Sequence, residues 1–567
     1  MKFDASTVYE TLKNQVNPVI DLPAGKIYLD KPIEIDGKDY PNLASLTVKG
    51  HGTTLTGAKA LTASGWKEGK YGFCRRIPKS APAFHDLLKD GKPVPLARSE
   101  SFINPFDFAD PKDRNHPENM RGLYVPLRIV KGMDKDALRG AEFHIYVEWE
   151  FDVFHITSID FFDTREVNGE THVLMRFDEE EFSAFIRLSH PLLHIDRREC
   201  FIANSPLFLT ENSFACDKAS RTLWYKGADT KGISLPMSEN LLIFRNLTNV
   251  TVSGLKFSGT TSSCLPLHGY VSYQANSDRR FGKLKNAAVL TSGIIGFTMT
   301  RCSFVSLGGN GLQMMNNSRD VTVKYCVFTD IGMSAINIGN ATTDWKNEQN
   351  RTENVTITRN TITRAAFSYP SAAAIYISMA DGLKLTRNTI HETAYSAISL
   401  GWGWEPVPYK PGEQVNLRNV TVSNNRITEY MQVLYDGAAI YCVGANCSEK
   451  YRRRFNFMRE NYCERTGIAT RKQRGYYLDG SASNWEMDHN VCVNSTLPVF
   501  SQYVVPEQFT HHNFIHHMYT TDGIAKENHV PERDTIVDFS SCVLAETKEK
   551  LYEICPEAEE IYRKSGR

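Results

Sequence analysis

The stretch that decides the fold runs from Asn354 to Asn490, where one phrase is written several times. Asn354-Val-Thr-Ile-Thr-Arg-Asn-Thr-Ile362 recurs as Gly382-Leu-Lys-Leu-Thr-Arg-Asn-Thr-Ile390 and as Asn419-Val-Thr-Val-Ser-Asn-Asn-Arg-Ile427. A second phrase answers each: Ala374-Ile-Tyr-Ile-Ser378, Ala397-Ile-Ser-Leu-Gly401, Ala439-Ile-Tyr-Cys-Val443 and, more loosely, Gly475-Tyr-Tyr-Leu-Asp479. Both phrases alternate apolar and polar residues, the pattern of a half-buried strand. The first apolar residue of the opening phrase falls at Phe297, Val321, Val355, Leu383, Val420, Phe457, Trp485 and Phe509, and the shortest step between them is 24 residues. A unit of that length, with several short strands and no helical period, predicts a parallel β-helix whose strands stack about 4.8 Å apart.

One column carries most of this reading. Cys302, Cys326, Asn360, Asn388, Asn425, Asn461, Asn490 and Asn513 fall at the same place in successive coils, although the insertions between them differ in length. Asn favours turns in any protein, but stacked inward Asn side chains also bond one another and the turn backbone. The alternation then assigns sides. Ile336, Ile375, Ile398, Ile440 and Tyr476 point inward, as do Ile338, Ile377, Leu400, Cys442 and Leu478. Asn337, Tyr376, Ser399, Tyr441 and Tyr477 form an outward stripe, followed by Gly339, Ser378, Gly401, Val443 and Asp479. An outward stripe bearing aromatics is a surface on which an oligosaccharide can lie.

The remainder of the chain frames this core. Residues 1–64 read as a short helix (from Ser6 to Lys13) and the first coil, 65–240 as an inserted β-rich, sandwich-like domain, 241–520 as the β-helix carrying the site, and 521–567 as a tail whose helix caps the last coil through Leu551, Ile554, Ala558 and Ile561. In the inserted domain, the alternating run Phe143-His-Ile-Tyr-Val-Glu-Trp-Glu-Phe151 reads as strand. The fold class is therefore all-β. Lys plus Arg number 65 and Asp plus Glu 65, a formal charge of zero, so neither nucleic acid nor an anionic membrane is an expected partner. No apolar run is long enough to span a bilayer. The polar first residues do not read as a signal peptide, and the twelve Cys lack paired zinc spacing. Both point to free thiols in a cytoplasmic protein. Oligomeric state is not readable.

Candidate chemistry gathers on three turns. Gly401-Trp-Gly-Trp-Glu-Pro406 places Trp402, Trp404 and Glu405 in a glycine-bordered loop; the Trps either pack beneath it or stack on sugar rings. Asp436 opens Asp436-Gly-Ala-Ala-Ile-Tyr441, where Asp-Gly is also ordinary turn chemistry. Asp479 stands in the outward column beside Tyr477, and its counterparts in neighbouring coils are small. Two carboxylates across a cleft are the equipment of glycoside hydrolysis, one protonating the leaving oxygen while the other activates water or attacks the sugar. Treating the chain as extended, Asp436 lies roughly 20 Å along the strand from Asp479. Glu405 is then the geometrically easier partner, with His391, Glu392 and Glu507 weaker candidates. Arg474 beside Asp479 adds a cation. No cofactor or metal is expected for this chemistry.

At these motifs the chain resembles bacterial right-handed parallel β-helix glycoside hydrolases, most like family 141, and more distantly the β-xylosidases of family 120. The residues that carry the likeness are Tyr395-Ser-Ala-Ile-Ser-Leu-Gly-Trp-Gly-Trp404, Asp436-Gly-Ala-Ala-Ile-Tyr441 and Gly475-Tyr-Tyr-Leu-Asp479, with Gly91-Lys-Pro-Val-Pro-Leu-Ala-Arg98 and Cys216-Asp-Lys-Ala-Ser-Arg-Thr-Leu-Trp-Tyr225 in the inserted domain. The resemblance implies a fucosidase- or xylosidase-like enzyme, and the absent signal peptide favours an exo-acting enzyme that trims imported oligosaccharides. Asp436 and Asp479 are then the first catalytic pair and Glu405 the replacement for either, with Trp402, Trp404, Tyr441, Tyr477, His391 and Arg474 around the sugar. In such proteins an acidic residue commonly follows the last Leu-Asp; Gly480 stands there in this chain. Two other readings remain open. One is a lyase or epimerase on uronates using Lys472 and Arg474, sometimes with calcium; the other is a carbohydrate-binding solenoid without catalysis.

Overall fold

The computed structural model describes the 567-residue chain apart from residues 1–5, 104–114, 190–198, 275–276, 316, 340–350, 403–415, 445, 447–454, 467–473, 502–511 and 522–534. The described residues form two compact units, one of 1–56, 240–258 and 285–567, the other of 57–239 and 259–284.

The first unit is a right-handed parallel β-helix. Its opening-phrase strands and the strands just after them form one long parallel sheet, and its answering strands form another of ten strands, from Ile33–Asp36 through Ala438–Cys442 and Arg474–Leu478 to Leu497–Ser501. The answering strands stack in the expected register, Ile336 on Ile375, Ile375 on Ile398, Ile398 on Ile440 and Ile440 on Tyr476. All five are buried. The first long insertion leaves between Leu46–Thr56 and Leu242–Arg245. A second excursion, 259–284, leaves after Thr248–Ser258 and belongs to the other unit.

The Asn column is a continuous hydrogen-bonded ladder. Asn360 Nδ2 donates to Asn388 Oδ1 at 3.0 Å, Asn388 to Asn425 at 3.0 Å, Asn425 to Asn461 at 2.9 Å and Asn461 to Asn490 at 3.0 Å. Each Oδ1 also accepts the backbone N–H of the preceding rung, from Cys326 N to Asn360 at 2.9 Å down to Asn461 N to Asn490 at 3.1 Å. Each Nδ2 also donates to a backbone carbonyl: Val323, Ile357, Leu385, Val422 and Met458 in turn. Every polar atom of these buried amides is thereby engaged at a corner where neither water nor a strand partner is at hand. The residue just before each, Arg359, Arg387, Asn424, Glu460 and His489, takes a left-handed backbone that turns the corner.

Two register expectations are corrected. Asn513 is not the next rung: Asn490 lies opposite Met518, while Asn513 accepts from Trp485 N at 3.0 Å and so belongs to the opening strands. Phe457 is not the counterpart of Val420. Asn456 takes the inward place, accepting Val420 N at 3.0 Å, and Phe457 turns half-outward. A single-residue shift exchanges the two faces of a strand, and Asn wins the inward place because it satisfies a buried N–H that Phe cannot. Phe509 lies outside the described residues.

The tail also differs from expectation. It forms two helices, Lys548–Ile554 and Pro556–Lys564, broken at Cys555-Pro556 because proline lacks the N–H to continue. Leu551, Ala558 and Ile561 pack on Tyr462, Val491, Val493 and Tyr519, on the outer face of the sheet, and Gly566 N reaches Asn424 O at 2.8 Å. The tail thus lies along the side of several coils, and Ile554 faces solvent. Coil stacking itself continues to Thr535–Val537 and Val543–Leu544.

The second unit consists of antiparallel sheets, the largest of six strands, with helix Glu179–Leu188 packed on its aromatic core through Phe182 and Phe185. The alternating run from Phe143 to Phe151 is a hairpin rather than one strand, turning at Glu148 between Glu142–Val147 and Glu150–Val167. The eleven described cysteines are free thiols. Among the described residues, no helix is long and apolar enough to cross a membrane.

Asn425→Ala should remove the bonds its side chain makes to Asn388 N–H, Asn388 Nδ2 and Leu385 O, and one of the two donors to Asn461 Oδ1, in the interior. The expected loss is about 3 kcal/mol, read as a lowered urea midpoint; a change below about 0.5 kcal/mol would show that the ladder is not a principal support of the stack.

Candidate active site

The answering strands Ala438–Cys442 and Arg474–Leu478 lie side by side with Tyr441 opposite Tyr477. Asp479 follows directly, its N–H donating to Cys442 O at 2.8 Å, so the strand register continues through it. Tyr441 Oη donates to Asp479 Oδ2 at 2.5 Å, and the N–H of Gly480 donates to Asp479 Oδ1 at 2.7 Å. The rings of Tyr441 and Tyr477 meet edge to face with centroids 5.2 Å apart. The Arg474 guanidinium lies 4.3 Å from the Tyr477 ring centre, within cation–π range. Its Nη1 donates to Asp436 Oδ1 at 2.5 Å. Asp436, Arg474, Tyr477, Tyr441 and Asp479 therefore form one connected cluster.

The turn that brings Asp436 there is held by Tyr395, one coil away, whose hydroxyl donates to Asp436 O at 2.6 Å. Gly437 is required at this point: a Cβ would fall 2.5 Å from Ser396 Oγ and 2.6 Å from the Tyr395 ring. The extended-chain separation of roughly 20 Å does not describe this arrangement. The chain bends at Asp436-Gly437, and Arg474 spans what remains.

The two acids stand in different surroundings. Burial raises the Asp479 carboxyl above its ordinary value, and the Asp436 charge raises it further; the Tyr441 bond, the Gly480 N–H and Arg474 oppose this in part. Asp436 carries the ion pair with Arg474 and keeps 19% of its side chain exposed. Burial first, and then Asp479, hold the Tyr441 hydroxyl well above its usual range, so Tyr441 remains a donor. Burial, Asp436 and Asp479 do the same to Tyr477.

The other expected residues are placed as follows. Trp402 is buried and meets Tyr376 edge to face at 6.3 Å, while Tyr376 Oη donates to Gly401 O at 3.2 Å. Gly401 precedes it at φ +91°, where a Cβ would lie 1.9 Å from Val443 O. Trp402 thus packs beneath its turn, two coils from Asp479. The outward stripe is not an open surface: Asn337, Tyr376, Ser399, Tyr441 and Tyr477 are all buried. Within the column, Tyr441 packs on Tyr477 and bonds Asp479. His391 is not brought to the cluster. It stands on Thr389–Thr393 of the other sheet, with Nδ1 2.9 Å from Thr428 Oγ1. Its neighbour Glu392 is engaged by Arg364 at 2.5 Å. Trp404, Glu405, Lys472 and Glu507 lie outside the described residues. Sequence reasoning missed Tyr395 as a contributor; it stands in a quoted motif, but its role depends on a contact 41 residues away.

Among the comparisons with known proteins, a family model and one full-length superposition agree on the architecture. A family model described as a right handed beta helix region matches residues 287–502. No curated protein matches the chain. A solved structure named "Glycoside hydrolase" superposes over 99% of this chain and 93% of its own, with TM-score 0.69 at 18% identity, a likeness of fold. XylC in complex with xylose covers 93% of this chain and 81% of its own at TM-score 0.41 and 10% identity. DFA-IIIase from Arthrobacter chlorophenolicus A6 covers 55% and 68% at TM-score 0.31 and 13% identity.

A carboxyl with a raised folded pKa stabilises the fold fully below its unfolded value near pH 3.9, and that contribution is lost as pH rises through the folded value. Asp479→Asn removes the loss. Its stability relative to wild type should therefore improve from about pH 4 upward, measured by urea midpoints across a pH series; a difference flat with pH would contradict the assignment.

Proposed function

We propose that this protein is an exo-acting glycoside hydrolase for oligosaccharides, with Asp479 as general acid and Asp436 as base or nucleophile. The observation that carries the reading is the pairing itself. Two carboxylates share one cluster, one buried with its proton favoured, the other ion-paired with Arg474. Environments that set two acids apart in this way divide the roles of glycoside hydrolysis between them. Asp479 gives its proton to the leaving oxygen, and the Tyr441 O–H and Gly480 N–H then steady the carboxylate left behind. Asp436, the more exposed of the two, activates water or attacks the sugar carbon.

Support for the class comes from the glycoside-hydrolase name of the solved structure that superposes over nearly the full chain. Support for exo action comes from the near closure of the cluster: Tyr441 and Tyr477 are buried and Asp479 is 8% exposed, which suits a terminal sugar better than a polymer passing through. The fucosidase- or xylosidase-like assignment follows the family resemblance. Arg474, the cation a uronate lyase would use, is occupied by Asp436.

A screen of aryl fucosides, xylosides, galactosides and arabinosides tests this reading. On the glycoside cleaved, Asp436→Asn and Asp479→Asn should each lower kcat/KM by about 10²–10⁴. With a leaving group acidic enough to depart unprotonated, Asp479→Asn should recover activity and Asp436→Asn should not. If no glycoside is cleaved, or both variants match wild type, the hydrolase reading fails.

A further inference from the structure

A second cluster, on the other sheet, has the donors of a metal site. The corner Asp488-His489 stacks on the corner His516-His517 one coil on, because Met487 lies opposite Ile515 and Asn490 opposite Met518. Both second residues, His489 and His517, take the left-handed corner conformation at φ 51° and 44°. Their rings stack with centroids 4.3 Å apart. The consequence is a convergence of ligand atoms. His516 Nδ1 and His517 Nδ1 lie 2.9 Å from each other. Asp488 Oδ1 lies 3.2 Å from the first and 3.0 Å from the second.

Two features of this triangle are those of ligands rather than of an ordinary hydrogen-bonded group. Only one proton fits between two ring nitrogens at 2.9 Å, so at least one Nδ1 carries no proton and is chemically a ligand. The spacing also fits: ligands about 2.0–2.1 Å from a tetrahedral zinc ion stand about 3.3 Å apart, close to the distances here. Metal-bound imidazoles pass their second N–H to a carboxylate, and a carboxylate stands near His516 at more than hydrogen-bond distance. His516 Nε2 is buried without a hydrogen bond, 3.7 Å from Glu486 Oε1. His489 Nδ1 lies 2.5 Å from the same Asp488 Oδ1, which holds that oxygen at the corner, while its Nε2 lies 3.4 Å from Glu557 Oε1. His517 keeps 38% of its side chain exposed, which leaves a path for an ion and a fourth position for water. The other His-rich group, His85, Glu142 and His144 in the inserted unit, is different. Glu142 Oε2 sits 2.9 Å and 2.8 Å from the two Nε2 atoms, Oε1 accepts from Asn204, and none of the three side chains is more than 9% exposed, so that group lacks the exposed ligand that His517 supplies here.

We propose that Asp488 Oδ1, His516 Nδ1 and His517 Nδ1 form a three-ligand site for a divalent cation of the zinc class, with His489 as the residue that positions Asp488. The ion joins two successive coils near the C-terminal end of the stack. The site is independent of the hydrolase reading, since it lies on the other sheet and uses none of the residues of the Asp436–Asp479 cluster.

The experiment is titration of untagged, chelator-treated full-length protein with Zn2+ by calorimetry, and with Co2+ followed by its visible absorption. Wild type should bind one equivalent, develop the intense bands of a low-coordinate cobalt centre and melt at higher temperature with zinc. Asp488→Ala, His516→Ala and His517→Gln should lose stoichiometric binding, and His489→Ala should weaken it about 10- to 100-fold. His517→Gln alters the most exposed ligand and keeps the test valid if another variant misfolds, which circular dichroism reports. The proposal is overturned if wild type binds no zinc at micromolar concentration. Binding that survives all three ligand substitutions, or that is lost only in His85→Gln, overturns it equally.

Discussion

The structure rests on a buried amide that bonds its own copy in the next coil. Asn360, Asn388, Asn425, Asn461 and Asn490 each close one corner by giving their Nδ2 protons to a backbone carbonyl and, for the first four, to the next Asn, while their Oδ1 atoms receive the protons of the rung before. Each bond is worth about 1 kcal/mol net, but an unmade one in the interior costs more. Insertions of differing length can therefore leave the stack only between corners. That constraint holds the answering strands in register, and register makes residues nearly forty apart into neighbours.

Both candidate sites follow from the same rule at different places on the coil. On the answering strands it sets Tyr441 against Tyr477 and lets the Tyr441 hydroxyl reach Asp479. At the corner beside the ladder it sets Asp488-His489 over His516-His517. A β-helix needs no special loop to build such clusters. Any chemically suited pair one period apart is brought to within side-chain reach.

The ladder was legible because it is spelled in residue identities: Asn recurs two residues before an inward apolar one, Ile362, Ile390, Ile427, Cys463 and Cys492 in turn. The inward and outward columns of the answering strands were legible for the same reason. What could not be read was a shift of one residue. Asn456 in place of Phe457, and Asn513 among the opening strands, depend on which side chain best satisfies a buried N–H, and alternation alone is blind to that. The candidate cluster was legible in its parts, since Asp436, Asp479, Tyr441, Tyr477 and Arg474 were all singled out. Its assembly was not. The bend at Asp436-Gly437, the reach of Arg474 and the Tyr395 contact are tertiary facts, and an extended-chain estimate placed the two acids far apart. His391 stands apart from the cluster for a simpler reason, as its strand belongs to the other sheet. The Asp-His and His-His corners were spelled plainly one coil apart, but only stacked corners show that their ring nitrogens converge.

The account turns on Asp479 and Asp436 acting on one another. The most direct test is the 13C chemical shift of the Asp479 carboxyl against pH, in protein labelled at aspartate and assigned with Asp479→Asn. The account predicts a midpoint above the ordinary aspartate range that moves down when Asp436 is replaced by Asn, because removing that charge removes one of the two causes that raise it. An ordinary midpoint, or one indifferent to Asp436, would contradict it.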